Sequence, residues 1–192
     1  MTNSETTADR YRRLASGLTT RIDAVPSEKW DIPSTCDGWS VRDVVRHIID
    51  TEKGALKPVG LSIPDGPTVD DDPAAAWAHT RDAMQEILDD PARANLEYDG
   101  HFGRTDLASS IGSFYSLDLI VHAWDVAHPA GVDSVIDGQD LDFVEAFIAQ
   151  MGDNIRMEGV CGPAVEVPED SDRQTKVLAQ LGRDAASPPV RA

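Results

Sequence analysis

The chain has 192 residues, which is enough for one domain with a substantial core and too few for a second large domain. Its 34 acidic and 17 basic residues give a formal net charge of −17, which argues against electrostatic attraction to nucleic acid or to an anionic membrane. No apolar run approaches the ~18 to 20 residues of a membrane-spanning helix, and the segment MTNSETTADRYRR lacks the hydrophobic stretch of a secretion signal. We therefore expect a cytoplasmic protein.

Apolar spacing predicts the first two helices. Residues 8–25 carry apolar side chains at intervals of three and four, as in an amphipathic helix, and the prolines of PSEKWDIPSTCDGW then exclude a long helix. Ser40, followed three residues later by Asp43, resembles a capping box and predicts the start of a second helix, SVRDVVRHIIDTEKG. His47 lies on the shoulder of the core face of this helix, so its side chain points either into the bundle or into solvent.

Further helices are predicted along the rest of the chain. Pro73 predicts the start of a third helix that runs to about Leu88. The segment PARANLEYDGHFGRT after it is rich in turn-forming residues, and a short extended piece is expected at residues 95–98. An apolar run over residues 106–130 predicts a long central helix that ends near Pro129 and Gly131, with His128 exposed at its end. A last bundle helix is expected over residues 139–156.

These elements predict an all-α fold, an up-down four-helix bundle with an extra C-terminal helix and a short extended tail. Residues 1–156 form the bundle in this interpretation, and residues 157–192 form a tail that packs on it. In the tail we expect an extended segment, AVEV, a short helix around residues 176–181 and a frayed, proline-rich end.

The central helix carries Asp118 and His122, which lie about 40° apart on one stripe because successive residues of an α-helix are rotated by ~100°. The same stripe carries Ile111, so we expect Asp118 and His122 to lie on the buried face, where the Asp118 carboxylate requires a cation or hydrogen-bond donors. A divalent metal would compensate it, and so would a hydrogen bond between Asp118 and His122, and this helix alone leaves both possibilities open. With His47 from the second helix, the chain offers three metal-ligating side chains that a bundle can bring together.

Two segments, STCDGWSVRDVVRHIID and SLDLIVHAWDVAHPAG, resemble the signature segments of the mycothiol-dependent maleylpyruvate isomerase metal-binding domain family, within the DinB-like four-helix-bundle superfamily. The segments GPAVEVPED and AQLGRDAASP are similar to the end of the smaller metal-binding proteins of that group. In this family, a histidine of the second helix and an acidic residue four positions before a histidine on a later helix hold a divalent metal, usually zinc.

The resemblance implies that His47, Asp118 and His122 are the metal ligands here. Asp118 stands where the isomerase has glutamate. The isomerase also has a C-terminal domain that contributes an arginine to substrate handling, and we expect this chain to lack that domain. The resemblance further implies mycothiol as a co-substrate, while imidazole and carboxylate ligands accept nickel or iron as well as zinc.

Two imidazoles and one carboxylate leave an open coordination position on a divalent ion, and a thiol bound there would ionise. The first hypothesis is therefore a metal-dependent transferase or isomerase that uses a small thiol on a small electrophile, as a monomer or homodimer. The alternative is a non-catalytic metal-binding bundle with a structural or sensing role. A third hypothesis, a module for an apolar ligand without metal, requires Asp118 and His122 to satisfy each other.

Three other side chains near the predicted site have two interpretations each. Asp125 either accepts a hydrogen bond from His122 and orients its ring, or is a surface carboxylate. Tyr115 either faces the open metal position or packs in the core. Cys36 and Cys161 form neither a CxxC motif nor a disulfide framework, and Cys36 is expected to be structural and not a nucleophile.

Overall fold

The computed structural model describes residues 5–157 and 160–185. The helices are α1 (Thr7–Ala24), α2 (Val41–Leu56), α3 (Pro73–Leu88), α4 (Pro91–Ala94), α5 (Leu107–Ser110), α6 (Ser116–Ala130), α7 (Gly138–Met151) and α8 (Arg173–Gln180), and a hairpin consists of β1 (Glu97–Gly100) and β2 (Gly103–Asp106). The two strands pair antiparallel. The prediction of an all-α fold is confirmed, because the described residues are mostly helical and their sheet has only these two strands.

Four long helices build the bundle. α1 and α2 each pack against both α3 and α6, so α1 and α2 occupy diagonal corners, with α3 and α6 between them. Large side chains from all four helices fill the centre, among them Trp77, Trp124, Leu18, Ile48 and Met84, each 2% exposed or less. Their burial removes apolar surface from water at roughly 25 cal/mol per Å², which makes the bundle centre the main source of stability.

Local sequence signals set the starts of the helices. At α2, the Ser40 amide donates to the Asp43 carboxylate at 2.9 Å and the Asp43 amide donates to Ser40 Oγ at 3.2 Å, which is the predicted capping box. At α3, Pro73 occupies the first turn, where its missing N–H costs no hydrogen bond. Both predicted starts are confirmed.

The predicted central helix is confirmed as a continuous helical segment made of α5, a π-helical stretch at Ile111–Tyr115, and α6. The hydroxyl of buried Ser116 donates to the Ile111 carbonyl at 2.8 Å, which supplies a partner inside the widened turn. Gly131 ends the helix at φ 75°, a left-handed conformation that glycine adopts without strain. His128 lies inside α6, half-buried and stacked on Trp124 at 4.6 Å, so the prediction of an exposed residue after the helix was wrong.

The C-terminal third of the chain packs beside α6. α7 contacts α6 and α8 and ends at Gly152, whose φ is 51°, and a separate 3-10 turn follows over Gly152–Arg156, so the helix predicted over residues 139–156 is shorter than expected. The segment AVEV forms no strand, although the Val165 amide donates to the Ala179 carbonyl of α8 at 2.9 Å. The predicted frayed end lies beyond residue 185, outside the described part of the chain. Of the helices described, none combines the length and the apolar character needed to cross a bilayer.

Candidate metal centre

The structure brings the three predicted metal ligands together. One nitrogen of His47, one nitrogen of His122 and one carboxylate oxygen of Asp118 all lie within 4.8 Å of one another. His47 comes from α2 and the other two from α6, one helical turn apart, so the contact between these neighbouring helices assembles the cluster. The ring of Trp39 packs on His47 at 4.8 Å, and the His47 and His122 rings meet edge to face at 4.9 Å. Whether the cluster binds a metal stays a prediction.

Asp118 is less buried than its helical stripe predicted. Its side chain is 35% exposed, because it faces a cavity and not the apolar bundle centre, and the prediction of a buried carboxylate was wrong. Asp118 Oδ2 lies 3.9 Å from His47 Nε2. His122 is the buried member of the cluster, at 7%.

A buried carboxylate orients His122. The Nδ1 of His122 lies 2.8 Å from Oδ2 of Asp125, which is 0% exposed, so Asp125 is not a surface residue. An imidazole whose Nδ1 is held by a carboxylate keeps Nε2 for a metal, and this arrangement fixes the ring of many metal-ligating histidines.

Asp125 has further partners from two distant segments. Arg183, in the tail after α8, donates to it through Nη2 at 2.9 Å and through Nε at 3.4 Å. Thr35, in the connection before α2, donates its hydroxyl to Asp125 Oδ1, and Cys36 Sγ lies 3.5 Å from Oδ2. A buried carboxylate is stable only with such partners, so these contacts fix the Asp125 side chain and, through it, the His122 ring.

The electrostatics of the cluster favour one positive charge at His122. Burial works against protonation, but the hydrogen bonds to Asp125 and Cys36 and the charge of Asp118 together raise the pKa of His122 to about 10. Burial and the nearby His122 charge lower the pKa of His47 below its usual value. Despite its burial, Asp125 keeps a pKa well below the usual range because His122 and Arg183 stabilise the carboxylate. A cluster that holds a cation between two carboxylates suits the charge of a metal ion, and a bound ion would replace the His122 proton.

The ligand cluster forms part of the wall of a cavity of about 860 Å³. The wall combines α2, the β1–β2 hairpin, the segment from Ser110 to His122, and parts of the tail. Tyr115 lines it and is half-buried, and burial together with the nearby Tyr98 and Asp118 raises the pKa of its phenol to about 12. Small-molecule sites measure about 300 to 1,000 Å³, so this cavity is at the upper end of the range.

Sequence reasoning missed two residues of the site and underestimated a third. Thr35 and Arg183 hold Asp125; both lie in segments that resemble the family, but nothing in those segments indicates this role. Cys36 lines the cavity beside Asp125 and His122, and these three residues form a second group whose ligand atoms lie within 4.8 Å. Because Asp125 is already bound to Arg183 and Thr35, the first group is the better metal site.

The fold and the site define a helical bundle that carries a cluster of metal-ligating side chains on the wall of a large cavity. Residues 11–109, just over half of the chain, match the family model of the mycothiol maleylpyruvate isomerase N-terminal domain. The chain belongs to this family, which confirms the resemblance seen in the sequence. The matched range contains His47 and ends before Asp118 and His122. Searches of the curated proteins and of the solved structures gave no significant match.

Proposed function

We propose that the protein binds a divalent metal ion, zinc in the first place and nickel or iron as alternatives, through His47, Asp118 and His122. We propose further that it is a transferase or isomerase that uses a small thiol such as mycothiol on a small electrophile. The observation that supports this most strongly is the set of three donor atoms within 4.8 Å of one another on the wall of a cavity. The family of the N-terminal half supports the choice of thiol.

Three residues would bind the ion, and two others hold one of these ligands in position. His47, Asp118 and His122 would donate to the ion, Asp125 fixes the tautomer of His122, and Arg183 compensates the charge of Asp125. A bound ion would supply the chemistry of lowering the pKa of an incoming thiol, so that the thiolate is the main species at neutral pH. The volume of about 860 Å³ leaves room for a thiol and a second molecule together.

Metal content tests this proposal first. Protein purified without a histidine tag or chelator should contain about one equivalent of zinc or a similar ion, since three protein ligands with an open position are typical of catalytic sites. The His122→Ala variant should lose the ion. The matched control is His79→Ala, because His79 lies outside the cavity on α3, where its Nε2 contacts the Pro64 carbonyl at 2.9 Å. Folded wild-type protein without metal, and without uptake when zinc is added, would overturn the proposal.

The alternative function, a bundle in which the ion only braces the fold, predicts a different response to chelation. The ligands join α2 to α6, so a bracing ion would contribute to stability. Removal of such an ion should lower the unfolding temperature and leave thiol binding unchanged. For the enzymatic function, calorimetry should show mycothiol binding to the zinc-loaded protein and none after chelation. Equal binding in both forms would favour the bracing role.

A further inference from the structure

The cavity has a second end, which the metal proposal does not use. There the wall carries four aromatic rings, those of Tyr98 and Phe102 from the hairpin and Phe114 and Tyr115 from the π-helical stretch, among polar residues that include His101, Arg104 and Ser113. Phe102 is 59% exposed and Phe114 is 36% exposed, which makes them two of the most exposed large apolar side chains in the described chain. Exposed apolar groups that gather on a cavity wall are typical of a ligand site.

The aromatic rings have a defined geometry. The rings of Phe102 and Phe114 are parallel, with an interplanar angle of 1° and centroids 5.7 Å apart. Phe114 also meets the ring of Phe147 edge to face at 5.3 Å, and Phe147 belongs to the buried core. The wall is therefore held in place from behind. A flat ring that enters the cavity can continue this stack, and each such aromatic contact is worth about 0.5 to 1.5 kcal/mol beyond the buried area.

The aromatic end lies within the reach of one small molecule from the candidate metal ligands. Phe114, Asp118 and His122 follow one another at intervals of four residues along one helical segment. At 1.5 Å per residue, Phe114 is about 6 Å from Asp118 and about 12 Å from His122 along the helix axis. A molecule with its flat body on the phenylalanines would therefore place its other end beside the metal ligands.

The aromatic end of the cavity offers no unpaired arginine to an anionic substrate among the described residues, and the positive charge at His122 belongs to the end with the candidate metal ligands. Arg183 uses Nε and Nη2 on Asp125 and Nη1 on the Leu181 carbonyl, and Arg104 pairs with Glu97 and Asp99 on the hairpin. Both arginines of the described wall are thus engaged by other protein groups. Asp118 adds a negative charge between the two ends, and a carboxylate close to it would be repelled.

We propose that Tyr98, Phe102, Phe114 and Tyr115 form a subsite for the planar, uncharged body of the second substrate. The part of the electrophile that lies there is then an aromatic or conjugated group and not a carboxylate. This assignment rests on the proposed function only in naming the occupant an electrophile, because stacking of a ring on the phenylalanines needs no metal. The subsite and the metal site can therefore fail separately.

Binding of 2-naphthol, a flat uncharged probe, tests the subsite in the full-length protein, with succinate as the dicarboxylate for comparison. Calorimetric titration of the zinc-loaded and the metal-free protein should show naphthol binding in both forms, with an affinity higher than that of succinate. Phe114→Ala should weaken naphthol binding by about tenfold. Val135→Ala is the control, since Val135 is an exposed apolar residue outside the cavity and its loss should leave naphthol affinity unchanged.

Two results would overturn the subsite: no naphthol binding, or equal affinity in wild type and Phe114→Ala. If Phe114→Ala does not fold, Phe102→Ala gives the same test, because Phe102 lies in the exposed hairpin turn. Metal analysis of the same samples separates the two proposals. A protein that lacks metal but binds naphthol through Phe114 refutes the metal function and supports the subsite, and the reverse outcome refutes only the subsite.

Discussion

Glu52 carries a carboxyl group at the centre of the bundle, and replacing it with glutamine tests how much ionisation of a buried group lowers folding stability. It lies on α2 at 2% exposure, and the hydroxyl of Tyr11 on α1 donates to its Oε2 at 2.8 Å across the bundle diagonal. Its Oε1 is buried with no hydrogen-bond partner among the residues that the structure describes. Burial and the charge of Asp118 raise the pKa of Glu52 to about 8, although the hydrogen bond from Tyr11 acts in the opposite direction.

The raised pKa makes folding stability depend on pH in a stated direction. Below pH 4.5 the carboxyl is protonated in the folded and unfolded states alike, and stability is at its full value. Between pH 4.5 and about 8 the unfolded chain ionises while the folded protein keeps the proton, so the free energy of unfolding falls as pH rises. At about 1.4 kcal/mol per pH unit, the penalty reaches about 3 kcal/mol at pH 7.

Glu52→Gln should remove this penalty, since the amide keeps the shape and accepts the Tyr11 hydrogen bond without a titrating group. As the pH rises from 4.5 to 7, the free energy of unfolding of the variant should increase by about 3 kcal/mol relative to that of the wild type. Urea unfolding followed by circular dichroism measures both values. A chelator in all samples keeps metal binding from adding its own pH dependence. Glu86→Gln, at an exposed position of α3, serves as the control and should change little. Parallel pH curves for wild type and Glu52→Gln would refute the reasoning.

Two further variants test contacts that position the site. Arg183→Met leaves buried Asp125 with His122 as its one cationic partner among the described residues, so it should lower the unfolding free energy by about 3 kcal/mol and weaken zinc binding by about 10- to 100-fold. Urea unfolding and zinc titration measure the two effects, and unchanged values would show that Thr35 and His122 suffice for Asp125. Ser40→Ala removes one half of the capping box and should cost about 1 kcal/mol in thermal unfolding, with metal content preserved. A loss of metal in this variant would contradict the expectation that the capping box stabilises α2 without affecting the candidate metal ligands.

The sequence predicted what depends on residues close together in the chain. The capping box at Ser40 and Asp43 involves a spacing of three, and the start of α3 depends on one proline, so both could be recognised before any fold was known. The family resemblance predicted that His47 lies close to Asp118 and His122 in the fold. The positions of these residues in the sequence do not by themselves show this proximity.

The β1–β2 hairpin was predicted only as a short extended piece at residues 95–98. Its strands have four residues each, and their side chains are mostly polar, so no alternation of apolar and polar residues is long enough to reveal them. The hairpin is stabilised by pairing and by its position against the rest of the fold. Its consequence for the site is large, because it brings Phe102 to the cavity wall.

Arg183 and Asp125 are 58 residues apart in the chain, and their ion pair connects the tail to the ligand cluster. The amino acid types alone could not predict the pair, because neither residue lies in a local pattern that requires the other. Once the fold places them together, each constrains the other: Asp125 needs a cation because it is fully buried, and Arg183 is itself only 13% exposed at its side chain. The family model ends at residue 109, so the matched half contains His47 and the hairpin, while α6 contains Asp118 and His122 and the tail contains Arg183, which pairs with Asp125. The orientation of the His122 ring and the docking of the tail therefore depend on the same carboxylate, so a change that breaks one of these two contacts should also affect the other.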